Sequence, residues 1–297
     1  GGDTFINYTG AKQFDGGGFP TTQSGSTALQ FVSVNGSDTW VCDYTTKYCY
    51  HFDAFGKNVT GAPGMIGGFR ASDTSNPLSM VTNGTDFWVQ GQTNDFVFHY
   101  NAFGTRVTTG GTGLPAGFSY TSAYSANIFA RATTMNGSDF WIVDDGGSGV
   151  DYVYHFNYFG KNITGTPGLV GGFSTRKMTG TTTPSVLSLT TNGSDFWFIN
   201  SVNLFVYHVN AFGTNITDGF KLDGNYAGTS LDTDARINYI RRNGKSTSPT
   251  DFWGSASNYI YHLKGTVKES NYGGNTTRSI ILQNLTYGSY YWRVKGF

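Results

Sequence analysis

Glutamate is almost missing from this chain. Of 297 residues only Glu269 is one, and all charged residues together make up 13%. Helices of soluble proteins draw on Glu and Lys for their exposed faces, so a helix-rich surface is excluded. Lys plus Arg and Asp plus Glu balance at 19 each, giving zero net charge and a pI near 7.1. No cluster of basic residues appears, which argues against a nucleic-acid partner or an anionic membrane surface. No apolar run approaches the roughly 18 residues of a spanning helix, so no membrane insertion is expected. Cysteine occurs only at Cys42 and Cys49. They lie in W-V-C-D-Y-T-T-K-Y-C-Y-H-F, on two segments joined by a short turn, and a Cys42–Cys49 disulfide is expected. No metal site and no cofactor is expected.

What the chain does have is glycine, 42 residues of it, and 16% aromatics. Both favour turns and pleated strands. The aromatics are also ordered. All six Trp (Trp40, Trp88, Trp141, Trp197, Trp253, Trp292) stand at one place in a repeat, and all five His (His51, His99, His155, His208, His262) at another. Each copy opens with an alternating segment such as Leu78 to Thr82. An Asn-Gly turn follows at 35–36, 83–84, 136–137 and 192–193, the strongest short hairpin signal. A Trp segment comes next, then an aromatic segment with the His, as in F-V-F-H-Y. A second turn carries Gly56, Gly104, Gly160, Gly213 or Gly265. A Gly-Phe element usually closes the copy, at Phe69, Phe118, Phe173 and Phe220. This reads as a four-stranded antiparallel meander of roughly 50 residues, one propeller blade.

The expected fold class is all-β, a single β-propeller domain over 1–297 with six blades. Five whole repeats occupy about 20–278. The sixth blade is expected from 279–297 joined to 1–19, since Ser279 to Val294 matches the first half of a copy and Asp3 to Phe19 the second. Variable linkers, such as Ser119 to Thr134 and Lys221 to Ser248, are expected on the face away from the Asn-Gly turns.

The pattern W-I-V-D-D-G-G-S-G-V-D-Y-V-Y-H-F-N-Y-F-G-K-N resembles the NHL repeat and its six-bladed relatives, which show a hydrophobic strand, an Asp, a Gly/Asn loop, an aromatic strand and then Asp/Asn-x-x-Gly. The resemblance implies the six-bladed propeller. Alternatively, the tail L-T-Y-G-S-Y-Y-W-R-V looks like a late strand of a fibronectin type III domain, and the ring then has five units.

Asn-x-Ser/Thr sequons stand at Asn7, Asn35, Asn58, Asn83, Asn136, Asn162, Asn192, Asn215, Asn275 and Asn284. One series follows the Asn-Gly turns; Asn58, Asn162 and Asn215 follow the second turn. Covalent N-glycans are expected on a protein exported to the extracellular space or cell surface. Both turns lie at one end of an up-down-up-down blade, so the glycans should crowd one face. Each His is expected to cap a turn or pair with the Asp after the Asn-Gly turn (Asp38, Asp86, Asp139, Asp195) rather than bind metal.

No G-x-S-x-G elbow and no H-E-x-x-H occurs, and a lone Glu leaves few paired carboxylates for glycosidase chemistry. The expectation is a protein that is not an enzyme: a glycosylated structural or adhesive surface component that self-associates, as the subunit of a homopolymeric filament. The alternatives are a lectin-like propeller with a carbohydrate ligand and, third, a propeller hydrolase or lyase.

Overall fold

The computed structural model describes residues 6–8, 19–21, 29–36, 38–53, 55–60, 68–92, 95–108, 117–120, 130–137, 139–144, 152–164, 172–175, 186–200, 205–221, 239–242, 251–256 and 259–267. Two short strands come first, β1 (Ile6–Tyr8) and β2 (Phe19–Pro20). Four groups of four follow. They are β3 (Leu29–Asn35), β4 (Asp38–Asp43), β5 (Tyr48–Phe52) and β6 (Phe69–Arg70); β7 (Pro77–Thr82), β8 (Phe87–Gly91), β9 (Phe96–Tyr100) and β10 (Phe118–Ser119); β11 (Ala130–Asn136), β12 (Asp139–Asp144), β13 (Tyr152–Phe156) and β14 (Phe173–Ser174); and β15 (Val186–Thr191), β16 (Asp195–Asn200), β17 (Phe205–Asn210) and β18 (Asn215–Lys221). Then come β19 (Tyr239–Arg242), β20 (Asp251–Ala256) and β21 (Tyr259–Val267).

Each group is a four-stranded antiparallel meander, and β19, β20 and β21 join β1 and β2 in one five-stranded sheet. The first strands touch in a cycle: β3 with β7, β7 with β11, β11 with β15, β15 with β19, and β19 with β3. Sheets packed face to face around a closed cycle of inner strands are a β-propeller. Neighbouring inner strands are tied by hydroxyls rather than by a ladder. Ser79 Oγ accepts the Thr133 N–H at 3.0 Å and donates to its carbonyl at 3.2 Å; Ser188 does the same for Ile240, at 3.0 and 2.8 Å.

Among the described residues six blades are not what forms. The described residues make four four-stranded blades and one composite sheet. The sixth blade expected from 279–297 and 1–19 is corrected at its head: β2 pairs with β21, Phe19 opposite Ile260, and β1 pairs further along the same strand, Asn7 opposite Thr266. The physical reason is in the repeat itself. The copy with Trp253 and His262 has no Gly-Phe element of its own, and Phe19 supplies it. Residues 279–297 lie outside the described residues.

Phe19 also fits its neighbour as its counterparts do. Gly56, Gly104, Gly160 and Gly213 all have φ between +73° and +74°. A Cβ at each would strike a Phe of the preceding sheet: Phe19, Phe69, Phe118 and Phe173 in turn. These turns need glycine for both the left-handed backbone and the ring beneath it.

The core is a repeated stack. Trp40, Trp88, Trp141 and Trp197 lie opposite His51, His99, His155 and His208 in register. Their rings stack with centroids 4.4, 4.7, 4.6 and 4.3 Å apart. Each Trp also turns an edge to the next sheet, meeting Phe87, Phe140, Phe196 and Phe252 at 5.3 to 5.6 Å. Burying an aromatic of this size removes roughly 200 Å² from water, so the Trp row is a main source of blade-to-blade attraction.

Candidate ligand cup at the ring axis

The turns after the inner strands meet at the axis. They come in two forms. In the first and third blades the strand ends pair directly, Asn35 with Asp38 and Asn136 with Asp139, leaving two-residue loops with Gly36 and Gly137 at φ 69° and 58°. The Asn amides then lie against Gly84 and Gly193 of the following blade, where any side chain would collide with them. In the second and fourth blades the Asn folds onto its own turn. Asn83 Oδ1 accepts from the N–H of Thr85 and Asp86 at 2.9 and 2.8 Å; Asn192 Oδ1 accepts from Ser194 and Asp195 at 3.0 and 2.8 Å. Thr82 and Thr191 donate their hydroxyls to the Asp86 and Asp195 carbonyls, both at 2.7 Å.

These turns enclose a cavity of about 320 Å³, lined by Val34, Asn35, Gly36, Thr82, Asn83, Met135, Asn136, Gly137, Thr191, Asn192 and Arg242. Among the described residues none of the lining is acidic. Arg242 supplies the positive charge. Its backbone N–H donates to Thr190 Oγ1 at 3.0 Å, and its guanidinium carbon lies 5.7 Å from the Trp197 ring centroid, a cation–π distance.

Arg241 lies beneath. Its Nη1 donates to the Leu189 carbonyl at 3.3 Å, and its Nη2 to the carbonyls of Met80 and Thr133 at 3.1 and 3.0 Å. Those residues stand two positions before Thr191, Thr82 and Met135 on the inner strands, so the guanidinium closes the channel below the cup and binds three blades. Burial without a paired carboxylate among the described residues pushes its pKa down to about 10.

Sequence reasoning missed both arginines. It placed 221–248 in a linker on the opposite face, whereas β19 within it is an inner strand at the axis. The usable signal was Arg242-Asn243-Gly244, an Asn-Gly pair in the sequence that lacks the following Ser or Thr of the other copies.

The His–Asp pairing expected from sequence is present. Nε2 lies 3.3 Å from Asp38 in His51, 3.0 Å from Asp86 in His99, 2.9 Å from Asp139 in His155 and 3.3 Å from Asp195 in His208. These contacts anchor the start of the second strand to the third and so hold the cup-lining turns. Burial lowers the His155 pKa, with Asp139 opposing. Among the described residues no three His, Cys, Asp or Glu side chains converge as metal ligands would.

Cys42 and Cys49 are directly opposed, buried and disulfide-bonded, which suits an oxidising compartment. Among the described residues no helix is long and apolar enough to cross a membrane. Asn35, Asn83, Asn136 and Asn192 all border the cup. Asn58 and Asn162 bridge to Phe52 and Phe156, Asn215 begins β18, and Asn7 lies in β1. Asn275 and Asn284 lie outside the described residues. The hydroxyl of the outer sequons has a structural use: Thr60 Oγ1 accepts the His51 N–H at 2.8 Å and Thr164 Oγ1 the His155 N–H at 2.7 Å.

No family model matches the chain, and no curated protein does. Solved structures do match. Myxococcus xanthus glutaminyl cyclase aligns with a TM-score of 0.59 at 10% identity, covering 90% of this chain and 100% of that one. Staphylococcus aureus virginiamycin B lyase aligns with a TM-score of 0.48 at 10% identity, covering 83% and 98%. At such identity the likeness shows the fold alone. The first likeness supports a β-propeller of four-stranded antiparallel blades; the NHL repeat itself is not matched. The expectation that the chain is not an enzyme is corrected here. The first of these structures is an enzyme on this architecture, so uniform blades do not argue against catalysis.

Proposed function

We propose that the protein is an exported, N-glycosylated propeller that seats an acidic saccharide in the axial cup. One observation carries this: among the described residues the cup presents donors and no acid. The Asn83 and Asn192 oxygens are taken by their own turns, so their amide N–H groups are what remains for a ligand. Arg242 adds a guanidinium. A carboxylate or sulfate accepts hydrogen bonds and cannot donate them, which is the complement of such a lining. Arg242 would take the anionic group and the amides the neighbouring hydroxyl oxygens. Under this reading the cup asparagines are left unglycosylated, and Asn58, Asn162 and Asn215 carry the glycans. The disulfide supports the exported setting.

The test is an array of neutral and uronic-acid oligosaccharides, followed by calorimetry and product analysis. Acidic members should bind, and Arg242→Gln should weaken them about 10- to 100-fold. A shortened or altered saccharide in the same mixture would add turnover at this site. Equal binding of neutral sugars, or none at all, refutes the reading.

A second reading has its own support. Phe55, Phe103, Phe159 and Phe212 are 66 to 88% exposed and stand at one position of the outer turn. Four such rings at the cup end of the blades suit an adhesive or self-associating face. Light scattering of the protein with all four changed to Ser should show loss of any multimer; an unchanged particle mass removes this reading.

A further inference from the structure

Position 106 breaks the outer sequon series. Three blades carry Asn58, Asn162 and Asn215 there; the second blade carries Arg106. All four face the end of the third strand, opposite Phe52, Phe156, Val209 and Tyr100 respectively. Residues paired across an antiparallel ladder project to one face, and so does the residue two positions back on the strand. Arg106 accordingly lies along the third strand's rings. Its guanidinium carbon is 5.0 Å from the Phe98 centroid and 6.0 Å from that of Phe96, and it pairs with Asp73 at 3.3 Å.

The sequon blades carry the same ring pair. Tyr48 and Tyr50 are 5.0 Å apart, Tyr152 and Tyr154 4.8 Å, and Phe205 and Tyr207 4.8 Å, against 4.8 Å for Phe96 and Phe98. Tyr48, Tyr152 and Phe205 keep part of their surface open. Asparagine is too short to reach over these rings as Arg106 does. Asn58 and Asn162 also fix their amide planes, each Oδ1 accepting the N–H of the sequon threonine at 2.9 Å. A sugar joined to Nδ2 would extend in the direction that Arg106 takes.

We infer that these ring pairs are the seats of the first sugar residue of glycans on Asn58, Asn162 and Asn215, and that Arg106 fills the same seat in the blade that carries no glycan. The attraction is that of pyranose C–H groups for the negative face of an aromatic ring, as a cation is drawn in blade two. The sugar comes from a phosphate-activated donor: Nδ2 gives up a proton, bonds the anomeric carbon, and the phosphate leaves. This inference rests on the glycosylation part of the proposed function.

The experiment is site-resolved glycopeptide mapping with proton NMR of the intact glycoprotein, made in a host with N-linked glycosylation. Sugars should be found on all three asparagines, with first-residue protons shifted upfield by the rings. The shift on the Asn58 glycan should vanish in Tyr48→Ala/Tyr50→Ala. Arg106→Asn, which completes Asn-Val-Thr, should gain a glycan with the same upfield signature. Glycans present with unshifted first-residue protons overturn the seats and leave glycosylation standing. Bare Asn58, Asn162 and Asn215 overturn both. The wild-type spectrum decides even where Arg106→Asn does not fold.

Discussion

The four repeating blades and the composite sheet are built on one plan and differ where it counts. In the four, the inner strand places Ser33, Val81, Thr134 or Thr190 opposite the Trp. In the composite sheet that place belongs to Arg241, opposite Trp253. The four blades close their outer edge with their own chain; the fifth borrows β2. Repetition therefore makes the disc, while the one departure at the axis supplies both the charge in the cup and the plug beneath it.

The comparison can be broken from either side. The largest effect should come from a repeated blade. Trp88 is fully buried, stacked on His99 and set edge-on to Phe140. Trp88→Ala should cost about 4 kcal/mol of unfolding free energy by denaturant titration. Phe19→Ala should cost about 3 kcal/mol, because the ring sits under Gly56 and against Phe52 and Trp253. A loss near zero would mean that the head does not close the ring. Arg241→Ala should cost about 2 kcal/mol, as three buried carbonyls lose a charged donor; a gain in stability would show the plug to be retained for something other than cohesion.

The pH effect is smaller. The folded-state pKa of His155 lies below its ordinary 6.5, so the folded state binds its proton less readily than the unfolded chain. The contribution to stability is complete above pH 6.5 and is lost as pH falls through the folded value. The melting temperature should drop on acidification from pH 7, and His155→Asn should flatten that part of the profile. The smallest stability change belongs to Arg242→Gln, within about 0.5 kcal/mol, although the variant should lose acidic-sugar binding. That split between cohesion and binding separates the two adjacent arginines.

Much of the plan was legible because its signals are local. Asn-Gly marks a tight turn, alternation marks a strand, and a rare residue at a constant place marks a repeat. The His–Asp contacts followed from those placements, whereas the Trp–His stacks were not expected. The count of blades did not, because closure is a long-range pairing: β1 and β2 meet β21 from the far end of the sequence. Nor did the cup. Tyr239-Ile240-Arg241-Arg242 puts two arginines where the other inner strands carry uncharged residues, and a short charged strand reads as a linker. The non-enzyme expectation rested on motifs along the chain and on the uniformity of the blades, and a solved enzyme shares this architecture.

The borrowed edge strand has a consequence for how the molecule comes into being. Because Phe19 must wait for Ile260, the disc cannot lock until all the blades between them are available. Until then β21 offers an unpaired edge and Gly56 lacks the ring beneath it. Slow, late closure of this kind leaves the four repeated blades able to rearrange until Phe19 and Ile260 meet, and makes that meeting the step that fixes them.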